Sequence, residues 1–178
     1  IRNQLKTMNH QFSFYMKQKT SYKNNLISLL DQTYPGINDF FDSPARSDGS
    51  QKWVDFVSSF WHVDCVRSLG LATFTERYQK WCKRHGYNFQ PEKPAQIYSF
   101  SKELISVFTK DSVTKFLVKQ AVEQLNTVSF TVEQLRLEMN RLAAQLPEYQ
   151  VVMAMKGVGP SLGPQLMAEI GDLSRFSH

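Results

Sequence analysis

The chain has little cysteine, no long apolar run and no phosphate-binding loop of the nucleotide-hydrolysing enzymes. Its two cysteines, Cys65 and Cys82, are too few for a disulfide framework and are typical of a reducing cytoplasm. No stretch of about 18 apolar residues occurs, so no membrane-spanning helix is expected, and no signal-peptide pattern is present. The Gly-rich loop ending in Gly-Lys-Ser or Gly-Lys-Thr is also missing, which argues against nucleotide hydrolysis. We expect a cytoplasmic protein with no membrane partner.

Positive charge is concentrated at the beginning of the chain. The sequence of 178 residues holds 21 basic and 16 acidic residues, a net charge of +5. A basic arm suits a nucleic-acid backbone, because phosphate contacts release counterions. The same charges would also suit a solvated helix face, because charge patterns alone specify neither fold nor partner. In the first 33 residues the basic side chains Arg2, Lys6, Lys17, Lys19 and Lys23 stand against the single acidic side chain of Asp31.

Two long segments carry apolar residues at steps of three and four, the spacing of a helix stripe that faces a partner helix. The first, 1–33, predicts a helix of roughly 45 Å that ends before Tyr34, and the second, 110–146, one of roughly 55 Å stopped by Pro147. Either an antiparallel coiled-coil hairpin or a dimer between chains would bury both stripes. The stripes are Leu5, Met8, Phe12, Tyr15, Tyr22, Leu26 and Leu29, interrupted by Lys19, and Val113, Leu117, Ala121, Leu125, Val128, Val132, Leu135, Met139, Leu142 and Leu146.

Residues 34–109 are interpreted as a compact helical insertion between these two arms. Residues 43–50 have loop composition. Thr73 and Glu76 have capping-box spacing and predict the start of a helix that runs to Gly86. Because the aromatic residues of the insertion recur at helical spacing, we expect them to form its core rather than stacking platforms for bases.

Four residues of the insertion raise the question of a metal site. His62 and Cys65 are three positions apart, as are Cys82 and His85, and four such ligands would suit zinc. The usual zinc-finger spacing is missing, and a buried thiol is ordinary in an aromatic-rich helical region. We therefore expect no metal site in this chain.

A two-metal nuclease site is not expected either. Such a site needs carboxylates that converge from rigid elements to hold ions about 4 Å apart. Here the carboxylates fall near helix ends, in loops or singly on helices, and no strand pattern carries them. The residues concerned are Asp31, Asp39, Asp42, Asp48, Asp55 and Asp64.

A glycine-rich turn near the end of the sequence is the best candidate for a binding site. Apolar helical runs 149–155 and 162–170 flank Lys156-Gly157-Val158-Gly159-Pro160, with glycines where the backbone bends and a proline suited to a first helical turn. This predicts a helix-hairpin-helix within 147–178. Its outward N–H groups would form a small phosphate site, to which Lys156 adds a positive charge. The alternative is a tight link between two core helices.

The residues around this turn carry a resemblance to a known family. Met155 to Pro160, followed by Leu166-Met167-Ala168-Glu169-Ile170-Gly171-Asp172-Leu173-Ser174-Arg175-Phe176, resembles the start of the C-terminal domain in transposases of the insertion sequence one-ten family. The run from Arg2 through Lys23-Asn24-Asn25-Leu26 to Leu30-Asp31-Gln32-Thr33-Tyr34-Pro35-Gly36 is similar to the segment that follows the family's catalytic domain. Residues 37–110 carry no motif of this family.

The resemblance implies that the chain is the central part of a DNA transposase or recombinase that acts as an assembly of several copies. The family's acidic catalytic residues belong to a ribonuclease-H-like domain, expected before Ile1, where the parent enzyme would use a divalent metal such as Mg. Its serine nucleophile is expected beyond His178, so neither Ser161 nor Ser174 takes that role. DNA is the implied partner, and a structured guide RNA is a second one.

Together these observations predict an all-α fold with no cofactor and no catalytic residue in the chain itself. Its segments are a first coiled-coil arm at 1–33, a helical insertion at 34–109, a second arm at 110–146 and a truncated helix-hairpin-helix at 147–178. The expected function is oligomerisation and nucleic-acid binding for DNA transposition. A structural coiled-coil module that binds no nucleic acid is the alternative. The predicted nucleic-acid-binding residues are Lys156, Gly157, Val158, Gly159 and Ser161.

Overall fold

The structure, a computed structural model, describes residues 1–170, and it confirms the all-α prediction for them. Residues 171–178, which include Asp172 and Ser174 of the family motif, lie outside the described part. None of the described helices is long and apolar enough to cross a membrane. The elements are α1 Arg2–Thr33, a 3₁₀ helix Ile37–Phe40, α2 Lys52–Ser59, α3 Asp64–Arg67, α4 Leu71–His85, α5 Lys93–Lys102, α6 Ser112–Ala143, α7 Tyr149–Met153 and α8 Leu162–Ile170.

The chain divides into two compact units. Unit 1 comprises residues 1–20, 47–49 and the chain from 127 onward, and unit 2 comprises residues 21–46 and 50–126. Each of the two long helices, α1 and α6, therefore contributes residues to both units.

In unit 1 the two predicted stripes meet within one chain. Gln4 lines a hollow together with Leu142, whereas the Arg136 guanidinium, nearer the start of α6, lies 5.4 Å from the centre of the Phe12 ring. Earlier residues of α1 thus lie beside later residues of α6, so the two helices run antiparallel here. The buried core consists of Leu5, Phe12, Val132, Met139, Leu142, Ala143, Val152, Met167 and Ala168.

The apolar stripe of α6 departs from the prediction in its first two turns. Val113 and Leu117 are 64% and 40% exposed, whereas Val118 and Val122 are buried. The residues at the unit 2 end of α6 therefore bury a neighbouring face, and the unbroken period does not mark one continuous buried seam.

The core of unit 2 is aromatic, as expected for the insertion. Phe56, Phe74, Tyr78 and Trp81 are fully or almost fully buried. The Tyr78 and Trp81 rings stack with centroids 5.5 Å apart, and Phe56 meets Trp81 edge to face at 5.6 Å. Such ring pairs stabilise the core by more than the burial of their apolar surface area alone.

The predicted capping box at Thr73 is wrong, although the predicted end of the same helix is confirmed. Helix α4 begins at Leu71 with Gly70 as its extended N-cap residue, so Thr73 already lies inside the helix. The Glu76 carboxylate instead accepts a hydrogen bond from Lys80 one turn later, at 2.9 Å. Gly86 ends the helix with φ +72°, a left-handed conformation that glycine adopts without steric cost.

Candidate nucleic-acid interface

The candidate site is the turn between α7 and α8 in unit 1, which we call the corner and define as residues 154–161. Helix α7 closes with the Ala154 N–H donating to the Gln150 carbonyl at 3.1 Å. Gly157 then takes φ +83°, a conformation that costs other residues about 1–2 kcal/mol. The Gly163 N–H donates to the Gly159 carbonyl at 2.8 Å, which starts α8. A left-handed glycine therefore produces the bend that the sequence predicts.

The corner lies at the surface and offers several unused donors. The Lys156 side chain and Gly157 are exposed, and Gly159 and Ser161 are half-buried. Within residues 1–170, the backbone N–H groups of Gly157, Gly159 and Ser161 donate no hydrogen bond to a backbone carbonyl. No carboxylate of the same region lies within 4 Å of the Lys156 ammonium. These groups precede the N-terminus of α8, where the helix dipole adds a partial positive charge.

Two of the predicted site residues have a structural role. The Val158 N–H donates to the Met155 carbonyl at 3.2 Å, and its side chain packs against the core of unit 1. Val158 therefore holds the turn, and its amide is already occupied. The Ser161 hydroxyl accepts from Arg136 Nε at 3.1 Å and from Gln165 Nε2 at 3.0 Å. The main-chain N–H of Ser161 stays available, whereas its side chain anchors the corner.

Arg136 is the residue at this site that sequence reasoning missed. Its Nη1 contacts Glu133 Oε1 at 2.5 Å while its Nε reaches Ser161. The guanidinium thus ties α6 to the first turn before α8. No local spacing links positions 136 and 161, so the sequence carries no signal for this contact.

The basic residues of the first arm are not equivalent in the structure. Both guanidinium nitrogens of Arg2 face the Glu148 carboxylate, with Nη2 to Oε2 at 3.1 Å, so this positive charge is matched within unit 1. Lys6 and Lys17 are exposed. No ion-pair partner for these two lysines occurs in the described chain. Of the unit 1 portion of the arm, these two remain candidates for contacts to phosphate.

Of the four residues weighed as zinc ligands, the two histidines make other contacts within unit 2. His62 is buried: its Nδ1 accepts the Asp64 N–H at 2.9 Å, so Nε2 carries the proton and donates to the Phe108 carbonyl at 2.8 Å. His85 lies 5.3 Å from the Trp81 ring. Burial raises the pKa of both thiols, Cys65 and Cys82. Among the described residues no three His, Cys, Asp or Glu side chains are placed to share a metal ion.

Two of the weighed carboxylates also have partners. Asp55 accepts the Tyr87 hydroxyl at 2.5 Å, and Asp64 pairs with Arg67 at 2.7 Å. Both contacts lie in unit 2: the first joins α2 to Tyr87, just after the end of α4, and the second lies within α3. These carboxylates are therefore used in contacts that stabilise the fold.

Comparisons with known proteins identify no relative: no family model, no curated protein and no solved structure matches this chain. The resemblance to the insertion sequence one-ten transposases therefore depends on the motifs quoted from the sequence.

Proposed function

We propose that this chain is the nucleic-acid-binding and assembly part of a DNA transposase or recombinase. The observation that carries the proposal is the corner at the surface, where the N–H groups of Gly157, Gly159 and Ser161 donate no hydrogen bond to the backbone of the described chain. Lys156, Gly157, Gly159 and Ser161 bind a DNA phosphate, and Val158 fixes the turn that presents them. We assign no catalytic residue to this chain: catalysis, with a divalent metal such as Mg, belongs to other parts of the parent enzyme.

The chemistry of the corner determines what it recognises. Main-chain N–H groups and one ammonium bind phosphate oxygens without reading base edges. Binding at the corner is therefore independent of sequence, and it weakens as salt rises because releasing counterions into a more concentrated solution gains less free energy. A structured guide RNA presents the same phosphates and is a second partner in this proposal.

A salt titration of binding tests the proposal. Lys156→Ala should weaken binding to a fluorescent DNA duplex by about fivefold, the effect of about 1 kcal/mol. It should also reduce the slope of log K against log salt by about 0.9, the contribution of one phosphate contact. Lys119→Ala, which removes an exposed lysine of unit 2, is the matched control. Equal affinities for both variants and the unchanged protein, with intact helical content, would count against the corner.

A structural oligomerisation module is the second candidate function. It is favoured by Phe14, Phe130 and Leu137 in unit 1, which are each half or more exposed on α1 and α6. Apolar side chains in this number suit contacts between copies. Concentration-dependent self-association together with no salt-sensitive nucleic-acid binding would select this function over the first.

A further inference from the structure

Unit 2 carries a row in which cations and aromatic rings alternate. The Arg46 guanidinium lies 3.9 Å from the centre of the Tyr87 ring, and the Lys52 ammonium lies 5.4 Å from the same ring. Lys52 is also 5.6 Å from the Phe41 ring, which Lys93 approaches to 5.4 Å. Each neighbouring pair of cations thus shares one ring. We call these five residues, together with Phe40, the cation row.

The row ends in a hollow that also belongs to unit 2. Lys93 lies 5.7 Å from the Phe40 ring, which packs against Phe100 with centroids 4.6 Å apart. These three residues line a hollow of about 400 Å³ together with Asp39 and Asp42. This volume falls in the range of about 300–1,000 Å³ found for small-molecule sites.

Glycine at position 36 permits this hollow. Gly36 has φ +79°, and a Cβ there would lie 3.1 Å from Cζ of Phe100. A larger residue would therefore strain the backbone and push the ring out of place.

The three cations of the row are not matched by carboxylates. No Asp or Glu oxygen of the described chain lies within 4 Å of Arg46, Lys52 or Lys93. Burial of the Lys52 ammonium lowers its pKa; the nearby charge of Lys93 also lowers the pKa, whereas Cys82 and Asp42 act in the opposite direction. An anion placed between them would relieve this repulsion.

Stabilisation of the fold alone accounts poorly for the row. Three cations make five contacts of 3.9–5.7 Å with rings between residues 40 and 93. Holding like charges close together opposes folding. Stabilisation of the fold therefore does not by itself explain why three cations lie beside these rings. Phe41 is buried, whereas Tyr87 and Phe40 at the two ends of the row are partly exposed, and cations beside such exposed rings are the arrangement that single-strand binding proteins use.

We propose that the cation row binds the backbone of single-stranded nucleic acid, with one base inserted in the hollow against Phe40 and Phe100. The phosphates contact Arg46, Lys52 and Lys93. Asp39 and Asp42 accept hydrogen bonds from an amino group of the base, which favours cytosine, adenine or guanine. This site depends on the proposed function only for the class of ligand, since it lies in a different unit from the corner.

The test is binding of a fluorescent oligo-deoxycytidine to the whole chain by anisotropy. The triple variant Arg46→Gln, Lys52→Gln, Lys93→Gln should lose at least about tenfold in affinity, and its salt slope should fall by about 2, for three single-strand contacts. The matched control removes equal charge from exposed positions of α4, as Arg77→Gln, Lys80→Gln, Lys83→Gln, and should change little. Equal loss in both triples, or none in either with intact folding, overturns the proposal.

Two further measurements identify the ligand and separate this site from the corner. An abasic strand of equal length should bind about fivefold to a hundredfold more weakly, as expected for a stacked base. Competition by cytidine monophosphate at the same concentration as the oligonucleotide would instead assign the site to a free nucleotide. Ultraviolet crosslinking followed by peptide mapping should label residues 37–46 or 87–93. Labels confined to residues 154–161 would reject the cation row and retain the corner. The same conclusion would follow if Lys156→Ala lost oligonucleotide binding and the triple variant of the row did not.

Discussion

Adding a single methyl group at Gly157 should show how the backbone conformation of the corner, independently of its charge, contributes to DNA binding. Gly157 has φ +83°, and a Cβ there meets no atom within 4 Å. In Gly157→Ala the only penalty is therefore the left-handed backbone, about 1–2 kcal/mol. The turn should shift to another conformation and withdraw its N–H groups. A loss of 1–2 kcal/mol corresponds to about fivefold to thirtyfold weaker binding of DNA.

Gly159→Ala is the matched control for this change. Its added Cβ also meets nothing within 4 Å, and its φ is not positive. We expect unchanged folding and at most a small loss of binding. Gly157→Asn should fall between the two, since asparagine tolerates the left-handed region better than alanine. Anisotropy with a DNA duplex at fixed salt, beside circular dichroism for folding, measures all three. Wild-type affinity in Gly157→Ala would refute the argument that the bend presents the donors.

Two further predictions concern stability. Gly49→Ala should destabilise unit 1 by about 2–5 kcal/mol in guanidinium denaturation, because φ is +85° and the new Cβ would lie 2.5 Å from the Ser129 carbonyl oxygen; Gly159→Ala should change little, and equal midpoints would contradict this. The Asp111 carboxylate accepts the Thr114 N–H at 2.9 Å at the start of α6, and this bond lowers its pKa. Its stabilising contribution is therefore present above the unfolded pKa of about 3.9 and is lost as pH falls through the lower folded value. The difference in melting temperature between wild type and Asp111→Asn should shrink on acidification, and a constant difference would argue against the cap.

Local chemistry accounts for the parts of the fold that the sequence predicted well. The first long helix ends at Thr33, before Tyr34, and α4 ends at Gly86. The two helical runs around the glycine turn appear as α7 and α8. Each of these features depends on propensity and caps within a few residues, which a sequence displays directly.

Other features required the tertiary structure. The apolar periodicity of α6 does not predict that Val113 is exposed while Val118 is buried, because burial depends on which other segments of the chain pack against each helical turn. The spacing of Thr73 and Glu76 suggested a cap, but the N-cap residue is Gly70 and the helix begins at Leu71. The extended backbone of Gly70, and not the local capping motif, sets the start of this helix.

The sequence by itself determined the helical class, the ends of α1 and α4 and the position of the glycine turn, because these follow from short-range periodicity and backbone preference. Only the tertiary structure decided which charges remain unmatched. Arg2 is matched by Glu148, whereas Arg46, Lys52 and Lys93 come from three separate segments to the rings of one row. Such contacts join residues far apart in the chain, and no spacing of three or four encodes them.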